Sequence, residues 1–102
     1  MVPDGEAIVT GSVKRLFPRL SKDEALASLL LERAQRNLIK YQSQARLYEN
    51  KYGQPFSEFR RMIVESEAGA EKEQDYFDWE LAVTGVEDMR LEIDRLSGVL
   101  DQ

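Results

Sequence analysis

The chain contains neither cysteine nor histidine among its 102 residues. Without cysteine there can be no disulfide, no thiolate nucleophile and no cysteine-ligated zinc site. Without histidine the chain lacks the commonest general base and the commonest transition-metal ligand. Carboxylate, lysine and tyrosine side chains could still carry a reaction. The sequence nevertheless predicts a protein that is not an enzyme and that uses no cofactor.

Long apolar runs are also missing, since none approaches the ~20 residues that span a bilayer. The first residues, MVPDGEAIVTGSVKR, carry acids and two glycines where a signal peptide has a basic patch and an apolar run. We therefore expect a cytoplasmic protein without membrane contact. Hydrophobic residues make up 42% and charged residues 32%, a balance typical of an ordered, helix-rich chain of one domain.

The net charge of −5 is divided unevenly along the chain. Residues 1–51 hold nine Lys or Arg and six Asp or Glu, a balance of +3. Residues 52–102 hold five and thirteen, a balance of −8. The acidic half would repel nucleic acid and attract a basic protein.

The first twenty residues carry the weakest pattern, and a helix follows them. Alternation around Val13 and Phe17 favours an extended arm over 1–20, either a strand or flexible. Ser21 and Glu24 then form a capping box that predicts a helix over about 21–52, and Gly53 is suited to end it. Apolar residues recur along this helix at spacings of three and four: Leu31, Ala34, Leu38, Tyr41, Ala45, Tyr48 and Tyr52.

The segment GQPFSEF reverses the chain, and Pro55 suits the first turn of a short helix over about 55–66. A second long helix is predicted over about 71–99. It carries a matching stripe: Trp79, Ala82, Val86, Met89, Ile93, Leu96 and Leu100. Two stripes of equal length joined by a short turn predict an all-α fold, an elongated antiparallel helical hairpin forming a single domain over 21–102.

Two helices of about 45 Å are too long for so short a chain to wrap on all sides. Apolar residues nevertheless lie off both stripes: Leu26, Leu29, Leu30, Ile39, Leu47, Phe77, Leu81, Val83 and Leu91. Leaving these side chains in water costs about 25 cal/mol per Å² of apolar surface. We therefore expect a second polypeptide to cover them, either another copy of the chain or a cognate partner protein.

The acid-rich segment AEKEQDYFDWE invites a metal or catalytic interpretation. Glu71, Asp75 and Asp78 would share one helix face and could bind a hard cation. The sequence offers no second cluster to complete the coordination shell, and acid runs on helices are usually solvated faces. Acid–base catalysis by paired carboxylates needs two different environments, and no pocket is marked in the sequence.

Nucleic-acid binding is the next alternative. The segment RLYENKY places tyrosines among basic residues, and the arm offers Lys14, Arg15 and Arg19 as phosphate contacts. The tyrosines, however, lie on the apolar stripe, which favours core packing. The sequence also lacks a glycine-rich phosphate loop and a helix-turn-helix signature. We do not expect nucleic acid as the partner.

The segment Tyr76-Phe77-Asp78-Trp79-Glu80 places three large aromatics within four residues. Trp79 belongs to the stripe, Tyr76 lies beside it, and Phe77 points to another face. Exposed aromatics ringed by acids are typical of an anchor patch for a basic partner. The alternative is that all three are buried under the short helix, and both interpretations can hold for different residues.

The segment YENKYGQPFSEFRRMI, followed by DYFDWELAVTGVEDM, resembles small helical antitoxins encoded beside toxin genes in prokaryotic toxin–antitoxin operons. The resemblance lies in a Lys-Tyr-Gly turn, a Phe-x-x-Phe short helix and an acidic-aromatic segment, and it covers about residues 24–100. It implies a non-enzymatic protein that neutralises a small basic toxin by direct binding, with Asp75, Phe77, Asp78 and Glu80 facing the partner. Leu81, which lies off the second stripe, is added to this set. Many antitoxins carry an N-terminal DNA-binding domain, which has no counterpart in this chain.

Overall fold

The computed structural model describes residues 3–101, which contain helices and no strand. Helix α1 spans Gly5–Leu16, α2 Lys22–Tyr52, α3 Phe56–Glu65 and α4 Ala70–Leu100. Helices α2 and α4 form the main packing interface, and α3 packs against α4. The all-α hairpin predicted from the sequence is confirmed.

The two long helices run antiparallel. Tyr52 at the end of α2 stacks near Trp79 at the start of α4, with ring centroids 6.2 Å apart. Leu30 near the start of α2 shares a groove with Leu96 near the end of α4. The Cα radius of gyration is 20.0 Å and the molecule measures 59 × 37 × 18 Å. A compact domain of this length has a radius of gyration near ~13 Å, so the predicted elongation is confirmed.

The predicted ends of α2 are also found. The Oγ of Ser21 accepts a hydrogen bond from the Glu24 amide at 3.1 Å, and the Glu24 carboxylate accepts one from the Ser21 amide at 3.0 Å. Hydrogen bonding of the Glu24 carboxylate to the Ser21 amide first, and then to the Ser21 hydroxyl, holds the pKa of Glu24 below its usual value. Gly53 ends the helix at φ 63°, a left-handed conformation that glycine adopts without steric cost.

The extended arm predicted over 1–20 is wrong, because residues 5–16 form helix α1. The Asp4 carboxylate caps this helix by accepting hydrogen bonds from the amides of Glu6 and Ala7. Val9, Val13 and Leu16 also fit a helical spacing of i, i+4, i+7, which the weak alternation concealed. Residues 1, 2 and 102, which the predicted arm and domain include, lie outside the described range.

Helix α1 lies against the first turns of α2, opposite the side of α2 that packs on α4. Ala25 is fully buried there. An apolar groove remains open between the two helices, and it is lined by Val13, Phe17, Leu26 and Leu29 among others. The N-terminal helix therefore covers only part of the exposed apolar surface of α2.

Both predicted stripes form the α2–α4 interface, since all fourteen of their residues are buried or half-buried. The off-stripe prediction holds for eight of its nine residues. Val83 is half-buried, and eight are exposed: Leu26, Leu29, Leu30, Ile39, Leu47, Phe77, Leu81 and Leu91. The hairpin therefore leaves a large amount of apolar side-chain surface in water.

Gly85 marks the closest approach of the two long helices. A Cβ atom at this position would lie 2.6 Å from Cγ and Cδ2 of Tyr41 and 2.7 Å from its Cδ1. The Tyr41 ring therefore lies flat on the backbone of α4, where no side chain larger than hydrogen fits. In the sequence this glycine indicates only a weaker helix. The structure assigns it to the interface.

Candidate partner-binding surface

A cluster of aromatic rings fills the end of the molecule where α2, α3 and α4 meet. Trp79 and Phe59 are buried, and their ring centroids are 5.2 Å apart. Phe56 packs edge-on against Trp79 at 5.2 Å, and Tyr52 lies 4.2 Å from Phe59. Tyr48 also stacks on the indole, with ring centroids 6.0 Å apart. This cluster fixes α3 to the hairpin and sets the orientation of the first turns of α4.

The three neighbouring aromatics of α4 have different surroundings. Trp79 belongs to the core, and half-buried Tyr76 stacks on Phe56 at 5.7 Å. Phe77 is 59% exposed, and its ring lies in a T-shaped arrangement with that of Tyr76, with ring centroids 5.5 Å apart. Burial under the short helix therefore describes Trp79 and Tyr76. Phe77 alone has the exposure that the anchor interpretation requires.

Asp75 is held by its own chain. Its carboxylate accepts hydrogen bonds from the Lys51 ammonium at 2.6 Å and from the Tyr52 hydroxyl, and Lys51 also reaches Glu71 at 3.0 Å. The bonds from Lys51 and then Tyr52 lower the pKa of Asp75, while those to Asp75 and Glu71 raise the pKa of Lys51. The lysine thus bonds to two of the three acids that the sequence offered as metal ligands. Residues 3–101 contain no group of three acids placed to hold a metal ion.

Asp78 and Leu81 lie together in a groove between α4 and α2, hereafter the tip groove, with a volume of about 540 Å³. Its lining residues are Tyr41, Gln44, Leu47, Tyr48, Asp78 and Leu81. Leu47 and Leu81 are 68% and 69% exposed and form its apolar rims. Asp78 accepts a hydrogen bond from Gln74 at 3.0 Å. Burial first, and then the Asp78 charge, raise the pKa of Tyr48.

Glu80 lies away from the tip groove, beside the third helix. Hydrogen bonding to its carboxylate is the main cause that raises the pKa of Tyr76, and Arg60 of α3 acts on the same phenol in the opposite direction. The five residues predicted to face a partner therefore do not form one patch. Phe77, Asp78 and Leu81 are neighbours on the free side of α4. Asp75 and Glu80 instead interact with residues of α2, α3 and α4.

The sequence did not identify the α2 side of this surface. Leu47 stood out only as an apolar residue off the stripe, and Gln44 carried no signal. Their place beside Leu81 depends on the register of α2 against α4, which brings Tyr41 level with Gly85. The sequence held one signal for this register, a glycine at the middle of α4 against which a tyrosine of α2 can pack.

The hydrogen bonds from Lys51 and Tyr52 to Asp75 make the stability of the fold depend on pH. A lowered folded-state pKa means that the ionised carboxylate stabilises the fold above the unfolded pKa, and that this stability is lost as the pH falls through the folded pKa. Burial, followed by the bond to Asp75, raises the pKa of Tyr52. The tyrosine contribution is therefore present below about pH 10 and is lost as the pH rises through its folded pKa.

We expect Asp75→Asn to lower the free energy of unfolding at pH 7 by about 1 kcal/mol, because the bonds from Lys51 and Tyr52 lose a charged acceptor. Urea unfolding between pH 7 and pH 2.5 measures the effect. The difference from the wild type should shrink as the pH falls below about 4, the ordinary pKa of an aspartate in the unfolded chain, and disappear below the lower pKa of Asp75 in the folded protein. Glu71→Gln is the matched control, since Glu71 is 81% exposed and exposed pairs contribute little. An equal loss in both variants would contradict the assignment.

No helix among residues 3–101 is both long and apolar enough to span a bilayer. No family model, curated protein or solved structure matches the chain.

Proposed function

We propose that the protein is a non-enzymatic interaction module of the cytoplasm that neutralises a small basic partner protein by direct binding, as an antitoxin does. The observation that carries the proposal is the exposed pair Phe77 and Leu81, one helical turn apart, with Asp78 between them on an acidic helix. Helix α4 holds nine acids and three bases, a balance of −6. Within this proposal Asp75 supports the fold, because Lys51 and Tyr52 of its own chain bind its carboxylate.

The proposed recognition combines an apolar anchor with charge. Phe77 and Leu81 would be covered by apolar side chains of the partner, and aromatic residues of this kind dominate binding energy at protein interfaces. Asp78 in the wall of the tip groove is placed to accept a charge-assisted hydrogen bond from a partner lysine or arginine. The net charge of α4 would accelerate association with a basic protein and make the rate sensitive to salt.

The proposal is tested by co-expressing the chain with the product of the gene beside its own, which the proposal expects to be a small basic protein. The expected result is relief of the growth inhibition caused by that protein, and a complex that co-purifies at low salt. The double substitution Phe77→Ala with Asp78→Lys should weaken binding by about a hundredfold, since it removes an anchor and reverses an adjacent charge. Helicity should stay near that of the wild type, because Phe77 is exposed.

Leu91→Ala with Asp94→Lys provides a matched control. It makes the same change of charge on the same helix at exposed positions, away from Phe77, and should leave the affinity within about threefold. Equal weakening by both variants would show that only overall charge matters. Absence of any complex with the wild-type chain would overturn the proposal.

A second candidate function is a structural homodimer or scaffold without an inhibitory role. It is favoured by the exposed apolar residues at the far end of α2, such as Leu26 and Leu30, which lie remote from the acidic-aromatic segment. A scaffold would purify alone as a stable homo-oligomer and would not relieve the toxicity of a neighbouring gene product.

A further inference from the structure

The molecule exposes more surface than a single compact chain of its mass. Its accessible surface is 7753 Å² for a mass of 11.8 kDa, whereas monomeric proteins of that mass expose about 5,900 Å². The excess of about 1,800 Å² is about twice the ~800 Å² per partner that a stable protein–protein interface buries. A dimer interface on this chain is therefore compatible with its exposed area.

The apolar part of this surface lies mainly in two separate grooves on one side of the hairpin. The tip groove lies at one end of that side, and a second groove of about 650 Å³ lies at the other end, where Leu26 and Leu30 face Leu96 and Val99. On α2 the lining residues Leu26, Leu30, Tyr41, Gln44 and Tyr48 follow one another at steps of four, eleven, three and four residues. Each of these steps returns close to the same side of a helix, so both grooves open on the same face. We call this side the groove face.

The opposite side of the hairpin is different in chemistry. Its groove is lined largely by polar and charged side chains: Gln42, Ala45, Arg46, Glu49, Val83, Val86, Glu87 and Arg90. The lining of this groove therefore has the polar character of an ordinary protein surface. The two grooves of the groove face have a larger share of apolar lining residues, as protein interfaces often do.

We propose that the groove face binds a second copy of this chain, with a twofold axis parallel to the long helices, to form a four-helix bundle. Such an axis places α2 of each copy over α4 of the other and brings both α3 ends to the same end of the dimer. The charges favour this arrangement, since α2 holds six bases and four acids, a balance of +2, against −6 on α4. A twofold axis across the helices would instead place α4 against α4, and like charges opposite one another oppose binding.

Individual residue pairs also support the twofold axis. Rotation about an axis parallel to the helices leaves each residue at its own height along the hairpin, so residues at equal heights on the two copies meet. Leu30 is level with Leu96 and Tyr41 with Gly85, so exposed Lys40 lies within about one helical turn of the height of Asp88. In the proposed dimer Lys40 of each copy faces Asp88 of the other across the rim of the groove face.

Apolar residues at equal heights on the two copies also meet. Leu47 of one copy meets Leu81 of the other at the tip groove, and Leu30 meets Leu96 at the far groove. Such an arrangement gives an apolar contact at each end of the groove face and charged pairs on its rim, and both kinds of contact are usual in a protein interface. This inference goes beyond the proposed function, because a chain that binds no foreign partner would still form the dimer. Leu81 belongs to both surfaces, so a partner that covers it would compete with the second copy.

Sedimentation equilibrium of the full chain from about 1 to 500 μM tests the dimer. Leu30→Glu should raise the dimer dissociation constant by at least about a hundredfold, because it places a charge in an apolar contact of the dimer. Ile39→Glu is the matched control, since Ile39 is exposed on the same helix but lies outside the groove face, and it should shift the constant less than threefold. Far-UV circular dichroism confirms that both variants are folded. A wild-type monomer at every concentration overturns the proposal, as does a dimer that only Ile39→Glu disrupts.

The direction of the axis is tested separately. Lys40→Glu should weaken the dimer by about tenfold, and the combination of Lys40→Glu with Asp88→Lys should restore it to within about threefold. Because the chain has no cysteine, a single spin label at Ser57→Cys in α3 reports the distance between the two copies. The proposed axis predicts a distance below about 40 Å for hairpins packed side by side at helix-packing spacing. A distance near the 59 Å length of the molecule would rule out the axis, and that outcome leaves the antitoxin test above unaffected.

Discussion

Replacing Trp79 with alanine is expected to lower the free energy of unfolding by about 3–5 kcal/mol, the usual cost of removing a buried tryptophan. The indole is 2% exposed and lies against rings from both neighbouring helices, α2 and α3. Domains of this size are stable by about 5–15 kcal/mol, so this one change removes a large part of the total. The variant should be partly unfolded at 37 °C or lose most of its cooperative transition.

Urea unfolding followed by far-UV circular dichroism at 222 nm measures this loss, since Trp79 is the only tryptophan and its fluorescence disappears with it. Phe77→Ala is the matched control. It removes an aromatic ring two residues away, from a side chain that is 59% exposed, and should change stability by less than about 1 kcal/mol. Comparable losses in the two variants would show that Phe77 is a core residue, and the anchor assignment would then be wrong.

The second large effect is expected from Gly85→Ala. Alanine is favoured over glycine in a helix interior by about 1 kcal/mol, so an isolated helix would gain stability. Here the new methyl group would lie 2.6 Å from the Tyr41 ring, and the ring or the two helices must move apart. Overpacking of this kind costs about 1–3 kcal/mol. We therefore expect a net destabilisation of up to about 2 kcal/mol, and more if the aromatic cluster is displaced.

Two further variants isolate the cause. Gly98→Ala makes the same substitution in the same helix with no atom within 4 Å of the new Cβ, and it should stabilise the protein by about 0.5–1 kcal/mol. In a Tyr41→Ala background the obstacle to Gly85→Ala is gone, so the sign of its effect should reverse. Thermal unfolding of the wild type, the three single variants and the double variant measures these differences. Stabilisation by Gly85→Ala in the wild-type background would show that the ring does not lie against the α4 backbone.

Local signals in the sequence predicted most of the fold because they act within a few residues. The capping box at Ser21, the left-handed Gly53 and the alternating spacings of three and four fixed the helices to within one or two residues of their observed bounds. The arm was the exception. Its two glycines and weak alternation concealed the cap that Asp4 provides, and a twelve-residue helix at the edge of the molecule has too few apolar positions to make its period clear.

The candidate surface could be predicted only in part, because it depends on which residues of α4 are covered by the other helices. Within the segment DYFDWE, the sequence makes Asp75 and Phe77 equally plausible as contact residues. In the structure Asp75 binds Lys51 and Tyr52, while Phe77 is left exposed. A carboxylate becomes structural when a lysine twenty-four residues away reaches it, and no local pattern contains that information.

The sequence by itself determined the helices, their equal length and the surplus of apolar side chains that two such helices cannot cover, because each follows from composition and spacing along one chain. Only the tertiary structure decided the register of α2 against α4. That register places Tyr41 on Gly85 and closes Lys51 on Asp75. It also collects Leu47, Asp78 and Leu81 into one groove, because contacts between distant residues depend on packing in three dimensions.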